Sequence, residues 1–146
     1  MKRRDRHIAD LVPHAGSMVL LDEIIDHDPQ HIHCRALIDP AAGHPLAVND
    51  CLPATALAEY GAQAMAVHGG LLADPESPPR PGRLVALGQL ELAVDTVNEP
   101  VQVDVFGERL GGDESGNLYQ FELRDGSKWL ARGKATVMFV DTGSAS

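Results

Sequence analysis

The sequence is poor in cysteine, in aromatic residues and in basic residues, and each shortage excludes a class of protein. Its two cysteines, Cys34 and Cys51, lack the paired spacing of a zinc site and are too few for a disulfide framework. Aromatic residues make up only 4% of the chain, so the apolar 44% comes mainly from Ala, Leu and Val. That composition favours a compact α+β domain over a coiled coil or a disordered chain.

Acidic residues outnumber basic ones by 21 to 12, and the net charge is −9. This balance argues against nucleic-acid binding, because neutralising phosphates requires a basic surface. No apolar run approaches the length of a membrane span. The basic start at 2–6 is not followed by the apolar core of a signal peptide. We therefore expect a cytoplasmic protein that binds neither nucleic acid nor membrane.

The length of 146 residues fits a single domain, 1–146, with a frayed tail at 141–146. Residues 31–38 alternate apolar and polar side chains, as in a strand with one buried face. An alanine-rich helix is predicted to begin near Pro53 and to end at Gly69-Gly70. The predicted elements are strands 18–25, 31–38, 84–94, 101–109, 118–124 and 129–140, a helix 53–68, a Pro-rich crossover 73–82 and a hairpin turn at Asp125-Gly126.

This order of elements predicts an α+β hotdog fold, in which one long buried helix is wrapped by a curved antiparallel sheet of about five or six strands. The small side chains of the helix allow it to lie close to the sheet. Such domains tend to pair through an edge strand, because pairing removes an exposed edge. We therefore expect a homodimer or a heterodimer with another hotdog protein.

Two polar residues, Glu59 and Gln63, interrupt the apolar helix four positions apart and therefore share one face. Burying a carboxylate without a partner is costly, so such a residue indicates a cleft, a partner or a function. The alternative is that Glu59 lies on a solvent-facing stripe. Asn49 and Asp50 precede the helix and are expected to cap it, and Asp50 is also a reserve catalytic candidate.

Three histidines, His31, His33 and His68, are interpreted as structural. His31 and His33 share one face of a strand, a geometry that can bind metal. With no third ligand nearby in sequence, exposed strand residues are the favoured interpretation. His68, near the predicted helix end, is expected to interact with the last carbonyls. No metal site and no cofactor are predicted.

Two segments resemble the 3-hydroxyacyl dehydratases that act on acyl carrier protein. Pro13-His-Ala-Gly-Ser-Met-Val-Leu-Leu-Asp22 is similar to their opening segment, a Pro-His pair followed by an apolar run and Asp. Pro53-Ala-Thr-Ala-Leu-Ala-Glu-Tyr-Gly-Ala-Gln63 is similar to their central helix, where Pro precedes Glu by six residues and Gln follows by four. The family's Phe-Pro-Gly is missing after His44. In this respect the chain resembles the divergent dehydratase-like hotdog proteins of aryl-polyene pathways, some of which serve as the less active half of a heterodimer.

The resemblance implies dehydration of a 3-hydroxyacyl thioester, on acyl carrier protein or coenzyme A, to the 2-enoyl form in fatty-acid or polyene-type biosynthesis. His44 is implied as the base that removes the proton next to the carbonyl, and Glu59 as the acid that assists the departing hydroxyl. Backbone N–H groups at the helix start are candidate donors to the enolate-like oxygen, and the histidine of the Pro-His pair is expected to position the N-terminal loop. The substrate-binding residues implied are His14, Asn49, Asp50, Ala54, Thr55 and Gln63.

Two other functions stay open at this point. Hotdog thioesterases also place a carboxylate on or near the central helix, where it activates water for thioester hydrolysis. Alternatively, the altered segment around His44 is typical of a non-catalytic subunit that binds a second hotdog protein through its edge strand.

Overall fold

The computed structural model describes residues 19–72, 82–113 and 115–139. The predicted frayed tail at 141–146 and the segment 13–18 lie outside the described residues. The elements are strands β1 (Glu23–His27), β2 (His31–Ile38) and β3 (Leu52–Pro53), a 3₁₀ turn (Ala54–Ala56), helix α1 (Leu57–Leu72), and strands β4 (Gly82–Leu92), β5 (Thr96–Val97), β6 (Val101–Asp113), β7 (Gly116–Asp125) and β8 (Lys128–Phe139).

Six of the strands form one antiparallel sheet in the order β1-β2-β6-β7-β8-β4. Strands β1 and β4 are therefore its two edges. The alternating pattern of β2 is confirmed, because its buried residues are Ile32, Cys34, Ala36 and Ile38. Since the side chains of a strand alternate between faces, this pattern assigns one face of the sheet to the core and the other to solvent.

Helix α1 packs against the core face of the sheet, and a contact between Gly61 and Phe121 shows how close it lies. A Cβ atom added to Gly61 would lie 2.5 Å from Cδ1 of Phe121. One added to Gly133, on β8, would lie 3.2 Å from Cε2 of the same ring. The absence of side chains at both positions allows the ring to sit between helix and sheet. One buried helix on a six-stranded antiparallel sheet is the hotdog fold, and the fold prediction is confirmed.

The helix was predicted to end at Gly69-Gly70, and this was wrong. It continues through both glycines to Leu72. A glycine inside a helix costs about 1 kcal/mol relative to alanine. Here that cost is offset by Leu71, which is only 2% exposed and gains the burial of its side chain in the last turn.

The first strand begins later than predicted, at Glu23 instead of residue 18. The reason is that the backbone N–H of Leu20 donates to a side chain of the helix and not to a neighbouring strand.

The hairpin turn between β7 and β8 lies one residue later than predicted. Asp125 still pairs with Lys128, and the turn residues are Gly126, whose φ is +61°, and Ser127.

Two short strands, β3 and β5, were not predicted, because two residues carry no periodicity. They form a separate antiparallel pair next to the start of the helix. The predicted crossover 73–82 lies outside the part of the chain that is described, except for Gly82, which belongs to β4. No helix within the described ranges is long and apolar enough to cross a membrane.

Candidate functional site

Glu59 lies in the first turn of α1 and is half-buried. Its neighbours Ala58 and Tyr60 are 8% and 1% exposed, so the carboxyl group stands at the border of the buried part of the helix. A negative charge in the first turn is also stabilised by the positive end of the helix dipole. The side chain is therefore neither enclosed in the core nor on a fully exposed stripe.

Gln63, one turn further along the helix, is 2% exposed. Its Oε1 accepts a hydrogen bond of 2.9 Å from the backbone N–H of Leu20. Leu20 belongs to the opening segment 13–22. Gln63 thus ties this segment to the helix, while His14 itself lies outside the described residues.

His44 is half-buried, and its imidazole joins two elements. Its Nε2 lies 2.6 Å from the hydroxyl oxygen of Tyr60. Its Nδ1 lies 3.0 Å from the backbone nitrogen of Leu46, whose N–H donates to the ring. Burial lowers the pKa of His44, which favours the neutral ring. The segment 39–50 is thereby attached to α1 by a side-chain hydrogen bond.

Tyr60, which no sequence motif singled out, is the hydrogen-bond partner of His44 in the core. Burial, and then the negative charge of Asp22, raise the pKa of the Tyr60 hydroxyl, which stays protonated. Asp22 in turn accepts the N–H of Leu37 at 2.6 Å. A signal for Tyr60 was present in the sequence, because a tyrosine in an alanine-rich buried helix needs a partner for its hydroxyl.

Asn49 and Asp50 do not cap the helix, and that prediction was wrong. The N-cap of the helical segment is Pro53, with no side-chain hydrogen bond. Asn49 and Asp50 have φ angles of 53° and 59° and are exposed. They lie between Val48 and Cys51, which exchange two backbone hydrogen bonds of 2.8 and 3.1 Å. Two positive φ values between such a pair are typical of a type I′ turn, which asparagine and aspartate tolerate.

The backbone N–H groups at the start of the helical segment were expected to donate hydrogen bonds to the substrate, and one of them is already engaged. The N–H of Ala54 donates to the carbonyl oxygen of Asp95 at 2.9 Å, and Ala54 is 2% exposed. This amide is therefore engaged inside the chain, which overturns its expected role as a donor to the substrate. Thr55 is exposed, and it is the residue of the two that faces outward.

The solvent face of the sheet carries a cleft of about 280 Å³, lined by residues that include Asp28, His31, His33, Phe106 and Glu108. His31 lies 3.0 Å from Asp28, and His33 lies 2.8 Å from Asp104. Among the residues that the structure describes, no three His, Cys, Asp or Glu side chains are grouped to hold a metal ion. Neither Glu59 nor His44 lines this cleft.

His68 does not contact the last carbonyls of the helix, contrary to prediction. It lies one turn inside α1, because the helix runs on to Leu72. Its ring contacts the hydroxyl of Tyr119 and the backbone oxygen of Asp28 instead.

Comparison with known structures shows the same fold throughout. The dehydratase heterocomplex ApeI:P from Xenorhabdus doucetiae matches with a TM-score of 0.80 and 21% identity over 93% of this chain and 92% of that chain. A thioesterase from Staphylococcus aureus matches with a TM-score of 0.64 and 12% identity, over 82% and 93%. A hypothetical thioesterase from Streptococcus pneumoniae, solved with coenzyme A, matches with a TM-score of 0.63 and 9% identity, over 81% and 87%.

A comparison with curated protein sequences gave no match. The model of one protein family, described as ApeP dehydratase, matches residues 6–145. That match includes the Pro-His segment, the helix with Glu59 and all of the sheet. The resemblance to hotdog dehydratases drawn from the sequence is confirmed, and the chain belongs to the ApeP-like family of dehydratases.

Proposed function

We propose that this chain is a subunit of a hotdog dehydratase that converts a 3-hydroxyacyl thioester to the 2-enoyl thioester, with Glu59 as the acid. The observation that carries the proposal is the position of Glu59. It is the only acidic residue of α1, it is half-buried, and it belongs to a chain of a dehydratase family.

The reaction needs two proton transfers and no redox step. An imidazole nitrogen accepts the proton from C2, and the C2–C3 double bond forms as the C3–O bond breaks. The proton of the Glu59 carboxyl group joins the departing hydroxyl, which leaves as water. Each such transfer is worth about 10²–10⁴-fold in rate. The proton taken up by the imidazole later returns to the carboxylate through solvent, which restores both groups.

We propose that a second hotdog protein completes the site. Strand β4 is an edge of the sheet, and two of its apolar side chains, Leu87 and Leu92, are 40% and 36% exposed. No strand of the described ranges pairs with the outer edge of β4, and an edge with exposed apolar side chains is suited to pairing with another strand. The similar structure from Xenorhabdus doucetiae is a dehydratase heterocomplex, which supports a heterodimer over a homodimer here. The substrate is carried as a thioester of acyl carrier protein or coenzyme A.

The reaction class is tested by incubating the chain with 3-hydroxybutyryl-coenzyme A and 3-hydroxydecanoyl-coenzyme A, alone and after co-purification with the hotdog protein it binds. We expect the 2-enoyl thioester as product from the complex, with little from the chain alone. Free coenzyme A without an enoyl product would instead indicate hydrolysis. No conversion of either thioester, on coenzyme A or on acyl carrier protein, would contradict the proposal.

A further inference from the structure

We propose that His44 is a pH switch, which attaches the segment 39–50 to helix α1 when its ring is neutral and releases that segment when the ring is protonated. The proposal concerns a conformational change within this chain. It goes beyond the proposed dehydration and does not depend on it.

The segment 39–50 connects β2 to β3 and is attached to the rest of the structure at few points. Seven of its twelve residues are exposed. Within the described ranges, its hydrogen bonds join residues close together in the chain, apart from the one between His44 and Tyr60 of α1. Leu46 is partly buried and packs against the hydrophobic core. His44 and Leu46 therefore hold the middle of this segment in place.

The two hydrogen bonds of His44 fix the position of the hydrogen on its ring. The backbone nitrogen of Leu46 lies 3.0 Å from Nδ1, and its N–H donates to that atom. Nδ1 therefore carries the lone pair. A neutral imidazole has one N–H group, so this group is on Nε2 and donates to the hydroxyl oxygen of Tyr60 at 2.6 Å. The attached conformation thus requires a neutral ring of one tautomer.

Protonation of His44 is incompatible with this arrangement. A protonated imidazole carries a hydrogen on both nitrogens. Its Nε2 can still donate to Tyr60, but its Nδ1 can no longer accept from Leu46. Two N–H groups would then face each other across 3.0 Å, and the Leu46 amide would lose its acceptor. The attached conformation therefore excludes the proton, whereas a released His44 in water can bind it.

The charges around the ring do not favour its protonation. Tyr60 faces the ring from α1, and its hydroxyl stays protonated, because burial and then the charge of Asp22 raise its pKa. Burial lowers the pKa of His44, and no charged side chain in the described ranges contributes to that shift. The other carboxyl groups close to His44 along the chain or on the contacted turn of α1 are Asp39, Asp50 and Glu59.

The direction of the pH dependence follows from these contacts. In the released segment the pKa of His44 returns to its usual value of 6.5, whereas in the attached segment the pKa is lower. Below pH 6.5 the released conformation therefore binds a proton that the attached conformation does not. The ratio of released to attached molecules then rises by up to about tenfold per pH unit as the pH falls. Above pH 7 neither conformation binds the proton, and this ratio is constant.

The test measures hydrogen exchange at the Leu46 amide in the co-purified complex between pH 7.5 and 5. The rates are expressed as protection factors, which remove the pH dependence of the exchange chemistry itself. We expect the protection factor of Leu46 to fall by up to about tenfold per pH unit below pH 6.5. The amide of Cys34, in the buried strand β2, reports global unfolding and should stay better protected at every pH. An unchanged protection factor at Leu46 would overturn the inference.

Three variants separate the switch from a general loss of stability. His44→Gln cannot titrate, so the protection of Leu46 should no longer depend on pH. Tyr60→Phe removes the acceptor on α1 but keeps the bond from Leu46, so protection should fall at every pH while the slope remains. His31→Gln is the matched control, because His31 is an exposed histidine on β2, and it should keep the wild-type slope. A wild-type slope in His44→Gln would overturn the inference.

A second measurement uses the wild-type complex alone and does not depend on a variant that folds. In NMR spectra, ¹⁵N-labelled histidine in this chain reports the protonation of His44, and the amide signal of Leu46 reports its hydrogen bond. We expect both signals to change with one common midpoint, below pH 6.5. If the ring gained its proton while the Leu46 amide signal stayed constant, the switch would not exist. A complex that turned over no thioester would contradict the dehydration and leave this result unaffected.

Discussion

Tyr119 donates a hydrogen bond from β7 to Nδ1 of His68 on α1, with 2.7 Å between the two atoms. The other ring nitrogen, Nε2, lies 2.7 Å from the carbonyl oxygen of Asp28. A carbonyl only accepts, so the neutral ring donates from Nε2 and accepts at Nδ1. His68 is 0% exposed. This imidazole therefore joins the helix to β7 and to the β1–β2 turn, with both nitrogens satisfied.

Replacing Tyr119 with phenylalanine tests this connection. The substitution removes one hydroxyl group, leaves the ring in place and leaves Nδ1 of His68 without a donor. We expect the free energy of unfolding to fall by about 1–3 kcal/mol, measured by urea denaturation. The neighbouring Gln120 is exposed, and Gln120→Ala should change stability by less than about 0.5 kcal/mol. Equal stability of Tyr119→Phe and the wild type would show that the hydrogen bond does not form.

The pH dependence of stability follows from the same residue. Burial lowers the pKa of His68 below its usual 6.5. Below pH 6.5 the unfolded chain therefore binds a proton that the folded chain does not, and the free energy of unfolding falls as the pH decreases toward the folded pKa. His44 contributes in the same direction. We expect His68→Gln to show a shallower loss of stability between pH 6.5 and 5 than the wild type, and identical slopes would contradict this.

The contact between Gly61 and Phe121 predicts a steric effect. In Gly61→Ala the new methyl group would lie 2.5 Å from the ring, so the helix or the ring must move. Overpacking of this kind costs about 1–3 kcal/mol, which thermal and chemical denaturation would detect. Gly111 is a matched control, because a Cβ atom there meets nothing within 4 Å. A Gly61→Ala variant as stable as Gly111→Ala would contradict the packing described here.

Much of this fold could be predicted from the sequence, because its signals are local. The alternation over His31–Ile38 and the alanine content of the helix depend only on residues close together in the chain. The helix end could not be predicted. Gly69-Gly70 is a stop signal by local propensity, but the helix continues because Leu71 is buried in the hydrophobic core.

The candidate site was predictable only in part. The spacing of Pro53, Glu59 and Gln63 predicted the helix face on which the candidate site is placed. What each neighbouring group binds could not be read from spacing, because the partners are distant in sequence. Gln63 binds Leu20, and His44 binds Tyr60. Both contacts join residues that are distant in sequence, and no local pattern encodes them.

A substitution in the turn at Asn49-Asp50 distinguishes a structural role of Asp50 from a catalytic one. Asp50 has a φ of 59°, a conformation that glycine adopts without steric cost. We expect Asp50→Gly to keep or raise stability, by up to about 1 kcal/mol, and to leave the dehydratase activity of the complex unchanged. If Asp50 were the catalytic acid or base, the same substitution would instead reduce kcat by about 100-fold or more.

The most direct test of the account is the turnover of 3-hydroxydecanoyl-coenzyme A by the complex when Glu59 of this chain is replaced by glutamine. Glu99→Gln serves as the control, because Glu99 is exposed in the turn before β6. We predict that Glu59→Gln lowers the rate of enoyl thioester formation at least about 100-fold, while Glu99→Gln matches the wild type and both complexes stay assembled. Equal rates in the two variants would show that this carboxyl group takes no part in the reaction.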